Sequence, residues 1–199
     1  CVPYIFTGAS GDLGNRQFRQ GNDFAELRRI VNGIAGEIMK GSFEPVELSA
    51  PEVSRFEHHV HYNNEQFYPE YQKQLDEVLE VLANNPTFDE KKLADTEKMM
   101  LEGQLTRHEM DFTVEMTTLD FGGVVFVTFP GELASELGGM IRGAFEDTGK
   151  HTVVIGYAND YQGYFVAAHT YGGTSYESYV TQMPKGWAEE MLEAYREQL

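Results

Sequence analysis

Residues 124–129 read Val-Val-Phe-Val-Thr-Phe and stop at Pro130-Gly131. A run this apolar and this short, cut off by Pro-Gly, is a strand to be covered on both faces, and a sheet covered that way takes helices as neighbours. Residues 152–157 repeat the pattern and predict a second buried strand. Between them, Pro130-Gly131-Glu132 predicts the end of one strand and the opening of a helix through about residue 145.

The rest of the chain agrees with this framework. Residues 110–119 alternate, with Phe112, Val114 and Met116 on one face, and the turn Asp120-Phe-Gly-Gly123 leads into the apolar run, so a half-buried strand is joined to a buried one. Residues 46–62 alternate around Val53, Phe56, His58, Val60 and Tyr62, with Pro45 and Pro51 making the entry irregular. Helices are predicted over residues 23–40, where Phe24, Leu27, Ile30, Val31, Ile34 and Ile38 fall at helical spacing between an Asp23 cap and Gly41. Further helices are predicted over 68–83 and 89–102, parted by Asn84-Asn-Pro86, and over 187–199. The opening residues 1–6 read as a strand running into a glycine-rich turn. The expectation is an α/β chain with a mixed sheet and flanking helices, a single unit over residues 1–199 without an internal boundary.

Composition narrows the function. Against 15 Lys+Arg stand 32 Asp+Glu, a formal net charge of −17, which repels phosphate backbones and anionic lipid surfaces. Nucleic acid is therefore excluded as a partner. Apolar runs fall far short of the roughly 20 residues that span a bilayer, so no transmembrane segment is expected. With Cys1 as the one cysteine, neither an intrachain disulfide nor a CxxC zinc site can form.

Four groups of residues could carry chemistry. The first is Thr7-Gly-Ala-Ser-Gly-Asp-Leu-Gly14, whose Gly8-x-x-Gly11-x-x-Gly14 spacing suits a dinucleotide turn and a nucleotide-binding oxidoreductase. Against this, Gln20-Gly-Asn22 interrupts before any helix begins, and no acidic strand end follows at the usual distance. The second is Glu132, set by Pro-Gly over the sheet's carboxyl edge, together with Asn159, Tyr161, Tyr164, Tyr171, Tyr176 and Glu177 further on. Glu132 there serves either a site or the positive end of its own helix; the tyrosines either line that site or pack a loop. The third is His59-Val-His61, two imidazoles on one strand face, one ligand short of the three a catalytic zinc takes from protein. The fourth is Cys1, either an N-terminal nucleophile of an amidohydrolase or a core cysteine.

Three of these motifs, in order and separation, resemble the neutral/alkaline (non-lysosomal) ceramidase family of zinc-dependent amide hydrolases. The family's Asn-x-Gly-Asp-Val-Ser-Pro-Asn is similar to Ala9-Ser-Gly-Asp-Leu-Gly-Asn-Arg16, its Pro-Gly-Glu to Pro130-Gly-Glu132, and its Asn-x-Tyr-x-x-Tyr loop to Asn159, Tyr161 and Tyr164, with Tyr171, Tyr176 and Glu177 after it. The resemblance covers the C-terminal half of the family's catalytic domain. It implies hydrolysis of an N-acyl amide, small or lipid, as in sphingolipid metabolism, with Zn2+ as cofactor. It implies Glu132 and Tyr171 as metal ligands, Asp12 and Ser10 as catalytic residues, and Gly11, Asn159, Tyr164 and Tyr176 at the substrate.

Two departures stand out: Gly14 occupies the place of the family's catalytic serine, and the family's later Tyr-Gly-Pro is missing after Glu177. The two histidine ligands of the family fall upstream of Cys1, so an upstream segment or chain is the expected partner. The family's setting is extracellular or the cell envelope; these residues carry no basic-then-apolar leader, which leaves the cytoplasm equally open.

Overall fold

A computed structural model describes residues 4–171 and 175–199. Its centre is a mixed four-stranded sheet in the order β1-β2-β3-β5. Strands β1 (Leu48–Asn63) and β2 (Glu109–Gly122) form a long antiparallel pair, β2 pairs antiparallel with β3 (Val124–Thr128), and β3 pairs parallel with β5 (His151–Ile155). The α/β class and the mixed sheet with flanking helices are as the sequence predicts. Pro51 sits where β1 slips register between Leu48 and Glu52, the irregular entry that a residue without an N–H imposes.

Helices α4 (Ser135–Gly143) and α6 (Trp187–Gln198) cover one face of the sheet. Val60, Val114, Met116, Val125 and Val127 point into this core from the strands, and Leu137, Ile141, Met191 and Leu192 meet them from the helices. Tyr195 is buried in the same core and its hydroxyl is satisfied by Thr118 Oγ1 at 2.7 Å. The opposite face is covered less fully than the apolar sequence of β3 predicts. There Val124, Phe126 and Thr128 are only half-buried, with Phe121 and Phe6 set edge-on against Phe126.

The helical hairpin of α2 (Tyr68–Ala83) and α3 (Phe88–Gln104) buries Leu75, Val78, Ala94 and Leu101 in a small core of its own. Buried amides fasten it to the body: Asn64 Nδ2 donates to the Gln104 and Arg107 carbonyls, and Gln104 Nε2 to the Tyr179 and Thr181 carbonyls. Thr87 opens α3 with a complete capping box, its hydroxyl accepting from Glu90 N while the Glu90 carboxylate accepts from Thr87 N at 2.8 Å. Thr87→Ala is expected to cost about 1 kcal/mol, read as faster amide exchange in the first turn of α3 with the central sheet unchanged.

Two expectations are corrected, and a third lies outside the described residues. Residues 4–6 form no strand; Phe6 rests on Phe126, and among the described residues the chain beside β5 makes one sheet-like bond, Gly156 N to the Thr7 carbonyl. Residues 1–3, and with them the Cys1 nucleophile, lie outside the described residues. Pro130-Gly131-Glu132 does not open a helix, because Glu132 and Leu133 form a short strand, β4, parallel to β6 (Tyr164–Phe165), and α4 begins only at Ser135. Pairing wins there because β6 supplies the Gly163 and Phe165 carbonyls to Glu132 N and Ala134 N.

The predicted amphipathic helix forms as α1 (Phe24–Lys40), capped by Asp23, but Phe24, Leu27, Val31, Ile34 and Ile38 along it are all more than half exposed. Hydrophobic period makes a helix amphipathic without deciding what its apolar face meets. Among the described residues, no helix is long and apolar enough to cross a membrane.

Candidate functional site

Where the parallel strands β3 and β5 end, their continuations turn toward each other and pair again as β4 and β6. This places residues 132–133 and 157–165 at the carboxyl edge of the parallel pair, the position at which open α/β sheets gather ligands. Glu132 sits at its centre. Its carboxylate accepts from Tyr161 Oη at 2.6 Å and Tyr157 Oη at 2.7 Å, and the Tyr164 phenol beside them also favours its ionised form.

Glu132 is thus not complementing a helix dipole, since α4 starts three residues later. Burial pushes its carboxyl upward, but the three phenols outweigh that and hold it below the ordinary carboxylate range. The phenols move the other way. The bond to Glu132 and burial push Tyr161 up to about 12, while burial and the same carboxylate raise Tyr164 and Tyr157. An acid held so firmly ionised is a poor general base at neutral pH and a good acceptor or cation ligand.

The glycine loop completes the site from 120 residues away. Gly11 N donates to the Leu133 carbonyl at 2.9 Å, and a Cβ on Gly11 would stand 2.6 Å from the Glu132 carbonyl oxygen, so only glycine allows this approach. The Ser10 side chain faces Tyr157 and works against the rise of its phenol, which brings the loop beside the carboxylate's partner. Asp12 accepts from Ser135 N at 2.7 Å and from Ser135 Oγ at 2.8 Å, fastening the loop to the start of α4. Asp12 is therefore an anchor of the loop. Gly14 is exposed with open space around it.

The loop is not the phosphate cradle of a dinucleotide fold. It does not run from a strand into a helix: residues 4–6 are irregular, and the first helix begins at Phe24. Its backbone is spent on β4 instead.

Of the remaining predicted residues, Tyr176 packs edge-on against Tyr164 with ring centroids 5.7 Å apart, at the start of the short helix α5 (Tyr176–Val180). Asn159 turns its Nδ2 to Thr128 Oγ1 at 3.0 Å, holding the loop to β3. Tyr171 is not brought to Glu132. Its hydroxyl donates to the Met183 carbonyl at 2.7 Å, and its ring lines a separate cavity of about 720 Å³ against α2 and α3, with Val78, Leu101 and Tyr179. The oxygen donors beside Glu132 are Tyr157, Tyr161 and Tyr164.

Tyr157 escaped the sequence reading, which ended a strand on it. It and Asn159 adopt φ of 56° and 73°, the left-handed region that a bulky side chain enters only when its surroundings hold it there. The available signal was its place just after a buried parallel strand and before Asn159. His59 and His61 lie elsewhere, on the outer face of β1, both more than half exposed.

The donor set bears on the zinc expectation. Among the described residues, no three His, Cys, Asp or Glu side chains are grouped to hold a metal ion, and Glu132 is surrounded by phenols alone. Hard oxygen donors are present; the nitrogen ligands that complete a zinc site are not part of this cluster.

No family model matches the chain, and no curated protein matches it. Solved structures that share part of its fold include neutral ceramidase from Pseudomonas aeruginosa, at 25% identity and a TM-score of 0.38, over 44% of this chain and 16% of that one. A ceramidase complexed with C2 is similar to the same extent, over 44% of this chain and 15% of that chain. The chain thus spans less than a fifth of the length of either, and the likeness is a weak one of fold.

Proposed function

We propose that this chain is the downstream part of the catalytic domain of a metal-dependent amide hydrolase of the ceramidase type, acting on a small or lipid N-acyl amide. The observation that carries the reading is the joined network in which Gly11 N bonds the Leu133 carbonyl while Tyr157 and Tyr161 bond the Glu132 carboxylate. It assembles, on one sheet edge, the three motifs that carry the resemblance, from residues more than 120 positions apart. Glu132 is the anionic ligand, with Tyr164 or Tyr161 in the place that the sequence assigned to Tyr171. The two imidazole ligands come from polypeptide outside residues 1–199, so the unit is half of a site.

Bound zinc would supply a water acidified to a pKa of about 7 and a polarised carbonyl. This chain's own residues do the rest. Glu132 stays ionised at neutral pH, and the raised phenols of Tyr157, Tyr161 and Tyr164 remain proton donors that orient it. Asp12 and Gly11 keep the loop at contact distance from β4, and Tyr176 braces Tyr164.

The test uses the complete gene product, assayed for zinc content and for hydrolysis of a short N-acyl amide. Glu132→Gln is expected to remove both, with turnover falling by at least about a hundredfold. Tyr164→Phe is expected to fall at least about tenfold, and Tyr171→Phe to stay within about twofold because its hydroxyl donates to backbone carbonyls. Zinc and turnover surviving Glu132→Gln would overturn the reading.

A further inference from the structure

Between the α2–α3 hairpin and the stretch 171–185 lies the cavity of about 720 Å³ that Tyr171 lines, a size at which apolar pockets take small organic molecules. Its floor is apolar: Val78, Leu101 and Met183 are buried there. The polar groups beside them are spent inside the protein. Gln104 Nε2 donates to the Tyr179 and Thr181 carbonyls, Gln104 Oε1 accepts from Arg107, and the Tyr171 hydroxyl donates to the Met183 carbonyl. The rim is acidic. Glu70 and Glu77 stand exposed on α2, Glu97 comes from α3, and Lys185 is the one cation among the described lining residues. Glu97 accepts from the Tyr179 hydroxyl at 2.6 Å, so a carboxylate and an aromatic ring meet in the wall. Burial raises Tyr71, Tyr171 and Tyr179, which keeps these rings uncharged.

We propose that this cavity binds a small organic cation, a protonated amine or quaternary ammonium group carried on an apolar body. Because the floor spends its donors on protein acceptors, the part of a ligand that replaces water there must be apolar. The other end meets three carboxylates against one ammonium, a balance that attracts a cation and repels an anion. Phe67, Tyr71, Tyr171 and Tyr179 add aromatic rings to the lining, and the electron-rich faces of such rings favour a cation further. The walls belong to both the hairpin and the 171–185 stretch, so a bound molecule bridges the hairpin to the body where the Gln104 amide already fastens it. No lining residue belongs to the Glu132 cluster, and the proposal does not depend on the hydrolase reading.

The probes are phenylbutylamine, phenylbutanol and phenylbutyrate, one body ending in a positive, neutral or negative group, titrated at neutral pH into the complete gene product while its methionine methyl groups are followed by NMR. Phenylbutylamine is expected to shift Met100 and Met183, which line the cavity, and to leave Met116 and Met191 of the central core in place. The alcohol is expected to bind at least about tenfold more weakly and phenylbutyrate more weakly still. Glu97→Gln, and separately Glu70→Gln with Glu77→Gln, are expected to weaken the amine at least about threefold while leaving the alcohol unchanged, a charge-specific loss that a damaged fold would not produce. Gln74→Trp, which fills the cavity from a half-buried position on α2, is expected to abolish the binding of both. Unmoved Met100 and Met183 methyl groups, equal affinity for amine and phenylbutyrate, or unchanged amine affinity in the carboxylate variants would each overturn the proposal.

Discussion

Phe165→Ala is expected to lower the unfolding free energy by about 3–5 kcal/mol, measured by denaturant unfolding. Phe165 is fully buried, and its ring meets Phe129 edge-on with centroids 4.7 Å apart, while Trp187 lies beside it from α6. Removing it opens a cavity where three elements join: the end of β3, the β4–β6 pair and the first turn of α6. Gly131 is bound into the same contact, since a Cβ there would stand 2.5 Å from the Gly163 carbonyl and 2.8 Å from the Phe165 ring. The backbone of Glu132 is thus held by packing as well as by pairing. Phe165→Ala is therefore expected to loosen the Tyr161 and Tyr164 hydroxyls, seen as a return of their titration toward 10. Phe165→Leu, which keeps most of the volume, is expected to lose less and leave that titration in place.

Gly11→Ala is the second large effect. Its new Cβ would lie 2.6 Å from the Glu132 carbonyl oxygen and 2.9 Å from the Glu132 carbonyl carbon, and neither is the far end of a flexible side chain. Either the loop lifts from β4 or β4 moves, and both break the Gly11 N to Leu133 carbonyl bond. Overpacking against backbone places the cost at about 2–3 kcal/mol, with loss of the Ser10 contact to Tyr157. Gly14→Ala supplies the contrast, since nothing lies within 4 Å of a Cβ there, and it is expected to stay within about 0.5 kcal/mol. A stability scan finding the two glycines equally tolerant would show that the loop does not dock on the site as described.

The two glycines also show where sequence reading stops. Gly8, Gly11 and Gly14 present one spacing, and spacing alone suited a nucleotide turn as well as a hydrolase loop. What separates them is the surface each backbone meets: Gly11 touches β4, whereas Gly14 faces open space. The placing of Tyr171 away from Glu132 has a related reason. Tyr164 and Tyr171 are seven residues apart in an aromatic-rich loop, and no local pattern says which hydroxyl turns toward Glu132. That choice was made by the pairing of β6 with β4, which carries Tyr164 to the carboxylate, and by the Met183 carbonyl, which takes the Tyr171 hydroxyl the other way. The helix expected at Glu132 gave way to the same pairing.

Local chemistry by itself determined the elements and the class of the fold. Alternation, apolar runs, caps and breakers act over fewer than about twenty residues, and they located β1, β2, β3, β5 and the long helices to within a few positions of where they lie. They also made α1 amphipathic, and there local information ended, because its apolar face meets no core. Tertiary structure alone decided which motifs meet. The union of Glu132 with Tyr157 and Tyr161, and that of His59 and His61 with Asp111, depend on strand pairing and register across about 25 to 50 residues of chain, and the docking of Gly11 on Leu133 across more than 120. Register is set by which strands find each other and which faces are buried, a property of the whole sheet that no window of sequence contains.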